Sequence, residues 1–242
     1  MLGFGLSFAH ALGTQNVLQQ PFDPLNLGEM SEWFDFRTLT GSADGDPVSS
    51  WVGRRGLYTL AQTGTARPTW KADDGDGSAS ISMDGVDDSL GTGINNELLF
   101  GTTGDMEIWL VIKLPPVPAA GVFTSTGISN QIGLNTGAEN ATLSLCHGSV
   151  SITFPTALLA DNGWHVLRLM KSGSRRAVAI DGSTVYDSTT SAGPYVTGDD
   201  ALNLGYYFGS YGVVGFRHWL AFTEPLSDAV SAALTSYLGD AK

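Results

Sequence analysis

The 242 residues carry 24 acidic against 12 basic side chains, a formal net charge of −12 at pH 7. Nucleic acid and anionic membrane surfaces repel such a polyanion, so neither is an expected partner. A single cysteine, Cys146, rules out an intramolecular disulfide and a cysteine-based zinc site, while 31 glycines and a 42% hydrophobic fraction suit one large β-domain with many tight turns.

Residues 1–28 read as an N-terminal arm. The start, MLGFGLSFAHALG, is apolar, but it lacks a basic flank and is broken by Gly and Ser, so it does not read as a signal peptide. Nowhere does an apolar run reach the ~18 residues of a membrane span. Leu2, Phe4, Leu6 and Phe8 alternate with small residues in a stretch without charge. Such a segment packs either on its own domain or on another subunit.

Residues 29–242 read as one domain. SEWFDFRTL, residues 31–39, is a first strand, and a Gly/Asp loop leads to SSWVGRRGLYTLAQ, where Arg54-Arg55-Gly56 forms a solvated turn. The loop 72–80, ADDGDGSAS, follows, and Asp84, Asp87 and Asp88 form a second acidic group with Asp84-Gly85 at a bend. DMEIWLVIKL, residues 105–114, is the strongest strand. Alternation places Met106, Ile108, Leu110 and Ile112 on one face and Asp105, Glu107, Trp109, Val111 and Lys113 on the other. Pro115, Pro116 and Pro118 break the pattern, and residues up to 160 read as three short strands.

The last third is the most legible. GWHVLRLM is a strand; RRAVAIDGSTVYDS is a hairpin turning at Asp181-Gly182, because Gly accepts positive φ without steric cost. ALNLGYY follows. In FRHWLAF, strict alternation puts Phe216, His218, Leu220 and Phe222 on one face and Arg217, Trp219 and Ala221 on the other. A helix closes the chain, with Ser227 as N-cap, Asp228 at its positive end and Gly239 as its stop.

This order resembles the concanavalin A-like lectin/glucanase superfamily, and within it the LamG-like jelly-roll modules. The matching residues are Gly163-Trp164-His165, Asp181-Gly182, Leu204-Gly205 and Leu226-Ser227-Asp228-Ala229. Trp33-Phe34-Asp35, Trp51 and Met83 to Asp88 match upstream. The likeness spans roughly residues 30–240 and implies an all-β fold: an antiparallel jelly-roll β-sandwich with a short C-terminal helix. These motifs are structural and say little about activity.

Three constellations bear on function. Asp73, Asp74 and Asp76 offer the hard oxygen ligands calcium uses, but as an EF-hand the loop fails: Ala79 stands where Gly is required and Gly85 where the bidentate Glu belongs. Calcium is therefore the one cofactor candidate, set against a plain charged turn. Asp105 and Glu107 share a strand face at roughly 6–7 Å along the backbone, near the about 5–5.5 Å carboxyl separation of retaining glycosidases. The resembled glucanases carry Glu-X-Asp-X-(X)-Glu on one strand, and no third acid follows here, so a non-enzyme is expected. Finally, sugar sites lay aromatic faces against sugar rings; Trp109, Trp219, Tyr206, Tyr207 and Tyr211 are the candidates, provided their rings reach the surface. His147 and His165 show no metal-ligand spacing, and Asn140-Ala141-Thr142 is a glycosylation sequon.

The expectation is a non-enzymatic structural protein of a virion, above all of a bacteriophage. It would serve as a capsid decoration or tail-associated protein at the particle surface, with host glycans as possible ligands. Its partners would be copies of itself, in a homo-oligomer such as a trimer built through Leu2, Phe4, Leu6 and Phe8, and virion proteins such as the major capsid protein. The alternative is a secreted carbohydrate-binding module or degenerate glycoside hydrolase.

Overall fold

A computed structural model describes residues 22–39, 43–93, 99–101, 104–117, 121–125, 132–145, 151–189 and 201–240. Leu2, Phe4, Leu6, Phe8, Cys146 and His147 lie outside these residues.

The first half of the chain forms β1 (Met30–Asp35), β2 (Ser50–Val52), β3 (Thr59–Ala61), β4 (Thr69–Lys71), β5 (Ser80–Asp84), β6 (Leu90–Gly91) and β7 (Met106–Lys113). Next come β8 (Phe123–Ser125), β9 (Ile132–Thr136), β10 (Asn140–Leu145) and β11 (Ser151–Pro155). The stretch expected to hold three strands thus holds four, because LSLC…SVSITF divides into β10 and β11. The remainder is β12 (Trp164–Ser172), β13 (Arg175–Ile180), β14 (Ser183–Thr189), β15 (Leu202–Leu204), β16 (Tyr206–Tyr207), β17 (Ser210–Tyr211), β18 (Val213–Phe222) and the helix α1 (Asp228–Gly239).

These strands build two antiparallel sheets, face to face. The first runs β14-β13-β12-β7-β18-β5-β4, with β1 also paired to β18; the second runs β11-β10-β9-β8-β15-β6-β3-β2. Between them lies one core, in which Phe34, Trp51, Leu110, Phe123, Phe216 and Trp219 are closed to solvent. The architecture is the expected jelly-roll sandwich.

The expected helix forms where its signals lie. The Ser227 hydroxyl accepts from the Val230 N–H at 3.4 Å, capping one of the helix's unpaired donors. The hairpin turns at Asp181 (φ 49°) and Gly182 (φ 80°), the left-handed geometry of a two-residue turn.

Two faces differ from the alternation rule. A β-bulge between Phe216 and His218 interrupts the pairing of β18 with β7. One extra residue reverses which way the strand's side chains point, so Phe216 joins Trp219 and Ala221 in the central core. Leu220 and Phe222 instead fill a second apolar cluster with Trp33, Trp109, Val111, Trp164, Leu234 and Leu238. This second cluster lies on the outer side of the first sheet, beneath α1. The outward face expected for β7 is therefore also buried. Phe22, Leu25 and Leu27 pack against the same cluster, so the end of the N-terminal arm lies on the sandwich.

The turn Arg54-Arg55-Gly56 is exposed to solvent, as expected, and it is also tied down. The carboxylate of Glu32, closed to solvent, accepts backbone N–H groups of Trp33, Arg55, Leu57 and Tyr58 at 2.9–3.1 Å. Arg54 donates to Asp35 at 2.9 Å and stacks 4.8 Å from the Trp33 ring centroid; Arg55 donates to the Met30 carbonyl.

Candidate functional site

The two outer faces of the sandwich have opposite chemistry. Asp, Glu, Lys and Arg side chains in the described strands all belong to the first sheet and to β1 paired on it: Glu32, Asp35, Glu107, Arg168 and Arg217 are examples. None of the eight described strands of the second sheet contains a charged residue. Its inward row is apolar, with Leu90, Leu204, Phe123, Leu134, Leu143 and Ile152 in register. Its outward row, read through the same ladders, is Ser50, Ala61, Gly91, Asn203, Thr124, Gly133 and Ser144. The result is a row of small and mainly polar side chains, of which Thr124, Gly133 and Ser144 are buried while Ser50, Ala61, Gly91 and Asn203 reach solvent.

A hairpin of aromatic residues rests on that face. Gly205, at φ 77°, redirects the chain from β15 into β16; a Cβ there would meet the Asp88 carbonyl and Met83. Tyr206 pairs with Tyr211 and Tyr207 with Ser210, and the turn is Phe208 (φ 44°) and Gly209 (φ 85°). Two successive positive φ angles match the twist of a tight hairpin. For a bulky residue such as Phe208 the conformation is strained, a condition that gathers at functional positions. The ring centroids of Tyr206 and Tyr211 are 5.2 Å apart, and those of Tyr207 and Phe208 5.1 Å. Phe208 is 53% exposed, and the three tyrosines are half-buried. The Tyr207 ring lies on Gly133, where an added Cβ would stand 3.0 Å from Tyr207 Cε2 and 2.8 Å from the Phe123 carbonyl. Asn135 anchors the neighbouring loop by accepting from the Gly121 N–H at 2.9 Å.

Of the five aromatics proposed from sequence, the structure therefore assembles three: Tyr206, Tyr207 and Tyr211. The other two are corrected. Trp219 is closed to solvent between the sheets, against Phe34 and Phe100. Trp109 lies under α1 and donates its indole N–H to Glu107 at 2.6 Å. A ring without an open face cannot stack on a sugar. Phe208 was missed; its signal was the Phe-Gly pair between two short aromatic runs, which marks a two-residue turn.

The carboxylates are committed elsewhere. Glu107, fully buried, accepts from Trp109 Nε1, from Arg168 Nε and Nη2, and from the Leu226 N–H. In the Asp-rich loop, Asp73 accepts from the N–H groups of Gly75 and Gly77 at 2.8 Å, which hold its carboxyl below the usual range. Asp74 bonds Ser80 and Lys113. Asp76 is gripped by two nitrogens of the buried Arg217 at 2.8 and 2.5 Å; that hydrogen bonding holds its carboxyl low. Arg217 lies 4.0 Å from the Trp164 ring centroid. The three aspartates thus serve as a charged clasp over the first sheet. Asp84, Asp87 and Asp88 bring carboxylate oxygens within 4.8 Å of one another; burial first, and the two neighbouring charges after it, push Asp88 up to about 6.

Neither a protein-family model nor a curated protein matches this sequence. Solved structures do resemble it. The binding domain of Paraclostridial Mosquitocidal Protein 1 superposes with a TM-score of 0.66 at 12% identity, over 86% of this chain and 52% of its own. The binding domain of botulinum neurotoxin DC, solved in complex with SialylT, gives 0.64 at 10% identity over 87% and 52%. Trypanosoma rangeli sialidase gives 0.63 at 10% identity over 88% and 33%. The chain spans about half or less of the length of these neighbours. At this identity the likeness establishes the lectin-like jelly-roll fold.

Proposed function

We propose that this protein is a non-enzymatic glycan-binding module that presents the Tyr206–Tyr211 hairpin and the adjoining uncharged sheet face to surface sugars. The observation that carries the reading is the packing of four aromatic residues, Phe208 outermost, on a sheet face of small polar groups. Aromatic rings supply flat apolar area for the C–H faces of sugar rings, and uncharged hydroxyl and amide groups match sugar hydroxyls without desolvating a charge. Supporting it by analogy, the neurotoxin binding domain of the same fold was solved with SialylT. The non-enzymatic part is supported by Glu107, whose oxygens are occupied by four donors and have no route to solvent.

Within this fold we assign the chain to the LamG-like modules, and place it on a virion as a decoration or tail-associated protein. Those finer readings rest on the sequence resemblance and on the apolar N-terminal segment; a secreted module is the alternative.

A glycan array, followed by calorimetry on the best ligand, tests the binding function. Tyr207→Ala and Phe208→Asn should each weaken binding by roughly two- to tenfold, the scale of one aromatic contact of about 0.5–1.5 kcal/mol, and Phe208→Asn should leave the melting temperature intact because Asn tolerates positive φ. Binding unchanged in both variants, or no glycan retained at all, would defeat the proposal. Co-sedimentation with purified particles tests the location separately.

A further inference from the structure

We propose a second ligand site on the opposite face of the sandwich: the cleft between α1 and β12–β14 takes a neutral polyhydroxylated molecule of the size of one sugar ring. The cleft encloses about 280 Å³. Its polar wall is Arg168, Thr184, Asp228 and Thr235, and the edge of Trp109 contributes an apolar patch. Space exists because Ala179, Gly182 and Ala232 stand where larger residues would fill it.

The chemistry of the wall selects the ligand. The Ser231 hydroxyl belongs to a residue only 5% exposed and has no hydrogen-bond partner. Its oxygen is sealed behind the cleft wall, so the polar groups a ligand meets are those of Thr184, Thr235, Arg168 and Asp228. Thr235 donates its own hydroxyl proton to the Ser231 carbonyl at 2.9 Å, which leaves its oxygen to accept. Arg168 is fixed by its paired hydrogen bonds to Glu107. That pairing cancels its charge while holding the guanidinium plane in place, 5.7 Å from the Trp109 ring centroid. Asp228, whose charge is felt by Arg175, adds negative charge near the mouth, which disfavours anions. Donors and acceptors spaced around the cleft, with one aromatic edge, suit a ring bearing several hydroxyls. A carboxylate or phosphate does not fit, because Arg168, the cation among the described residues that line the cleft, is already paired with Glu107.

Saturation-transfer NMR on the full chain tests this, with D-glucose, D-galactose and N-acetyl-D-glucosamine as probes and N-acetylneuraminic acid as the anionic comparator. At least one neutral sugar should receive saturation. Thr235→Val should weaken it by roughly fivefold, the effect of one hydrogen bond, with the protein still folded. Ala232→Trp, at an exposed rim position, should abolish by occlusion the saturation that remains in a Tyr207→Ala, Phe208→Asn background, where the hairpin face no longer contributes. The proposal is overturned if no neutral sugar binds in that background at tens of millimolar, if the anionic sugar binds there as well, or if the remaining signal survives both cleft variants. Loss of the whole signal in the hairpin background alone would place all sugar binding on the hairpin face and remove this site.

Discussion

Glu107 on β7 and Arg168 on β12 meet through two parallel hydrogen bonds, 3.0 Å from Nε to Oε1 and 2.9 Å from Nη2 to Oε2. The carboxylate is sealed beneath α1, and the guanidinium forms part of the cleft beside the helix. A side chain that looks like half of a glycosidase pair in the sequence is thus a structural tie between two central strands and the start of the helix.

Replacing Glu107 with Gln leaves Arg168 without its counter-charge. Breaking a buried pair from one side costs about 3–5 kcal/mol, on the order of 10 °C in melting temperature for a domain of this size. Calorimetry on Glu107→Gln checks this, and a shift of only a degree or two would mean the pair is dispensable. Wild type and variant alike should leave β-glucans uncleaved; hydrolysis by the wild type that disappears in the variant would reverse the non-enzymatic assignment.

Two buried groups make opposed contributions to acid stability. His218 is pushed down to about 3, by burial first and by nearby arginines after it, against an opposing pull from Asp35. Its Nδ1 accepts from the Trp33 indole at 3.2 Å, as the neutral ring requires. The unfolded chain takes up this proton near 6.5 and the folded one only near 3, so stability is lost as pH falls through that window. Asp88, raised to about 6, behaves in reverse. Between 3.8 and 6 the folded state keeps a proton that the unfolded state has released, so stability falls as pH rises. Asp88→Asn should therefore be more stable than wild type above pH 6, with the difference shrinking toward pH 4. Urea midpoints from pH 4 to 7.5 decide it, and parallel curves would refute the assignment.

Calcium should not act through the Asp-rich loop. Asp76 would have to release Arg217, stranding a fully buried guanidinium. Thermal unfolding with and without millimolar calcium should show no stabilisation that depends on Asp74, because a ligand confined to the folded state must raise the melting temperature. A rise abolished by Asp74→Asn would contradict this.

The N-terminal segment carries the assembly hypothesis. Leu2, Phe4, Leu6 and Phe8 would gain roughly 1.5–3 kcal/mol each on burial. Deleting residues 2–20 should leave a folded sandwich that sediments as a monomer, whereas the full chain forms a homo-oligomer. Unfolding of the truncated protein would assign the segment to its own core instead.

The fold was largely legible because its signals are local. The Asp181-Gly182 turn, the Ser227 cap and the alternation of β7 each act within a few residues. The misread features depend on distant chain. Trp109 is buried because a helix more than a hundred residues later covers it. Trp219 and Phe216 share a face because of a bulge that alternation cannot announce. Asp76 is occupied by Arg217, far along the sequence. Tyr206, Tyr207 and Tyr211 were found because a hairpin gathers residues close in sequence. Phe208 escaped because an aromatic residue at positive φ runs against propensity.

The strands of the first sheet carry seven basic and five acidic side chains, and those of the second carry none, so the chain's excess of negative charge lies outside the strands of both sheets. Repulsion from a negatively charged surface therefore acts on the connecting segments, and the second sheet adds nothing to it. Exposed charges are screened beyond roughly 8 Å at physiological salt, so raising ionic strength should speed the encounter while leaving the contacts of the uncharged strands unaltered.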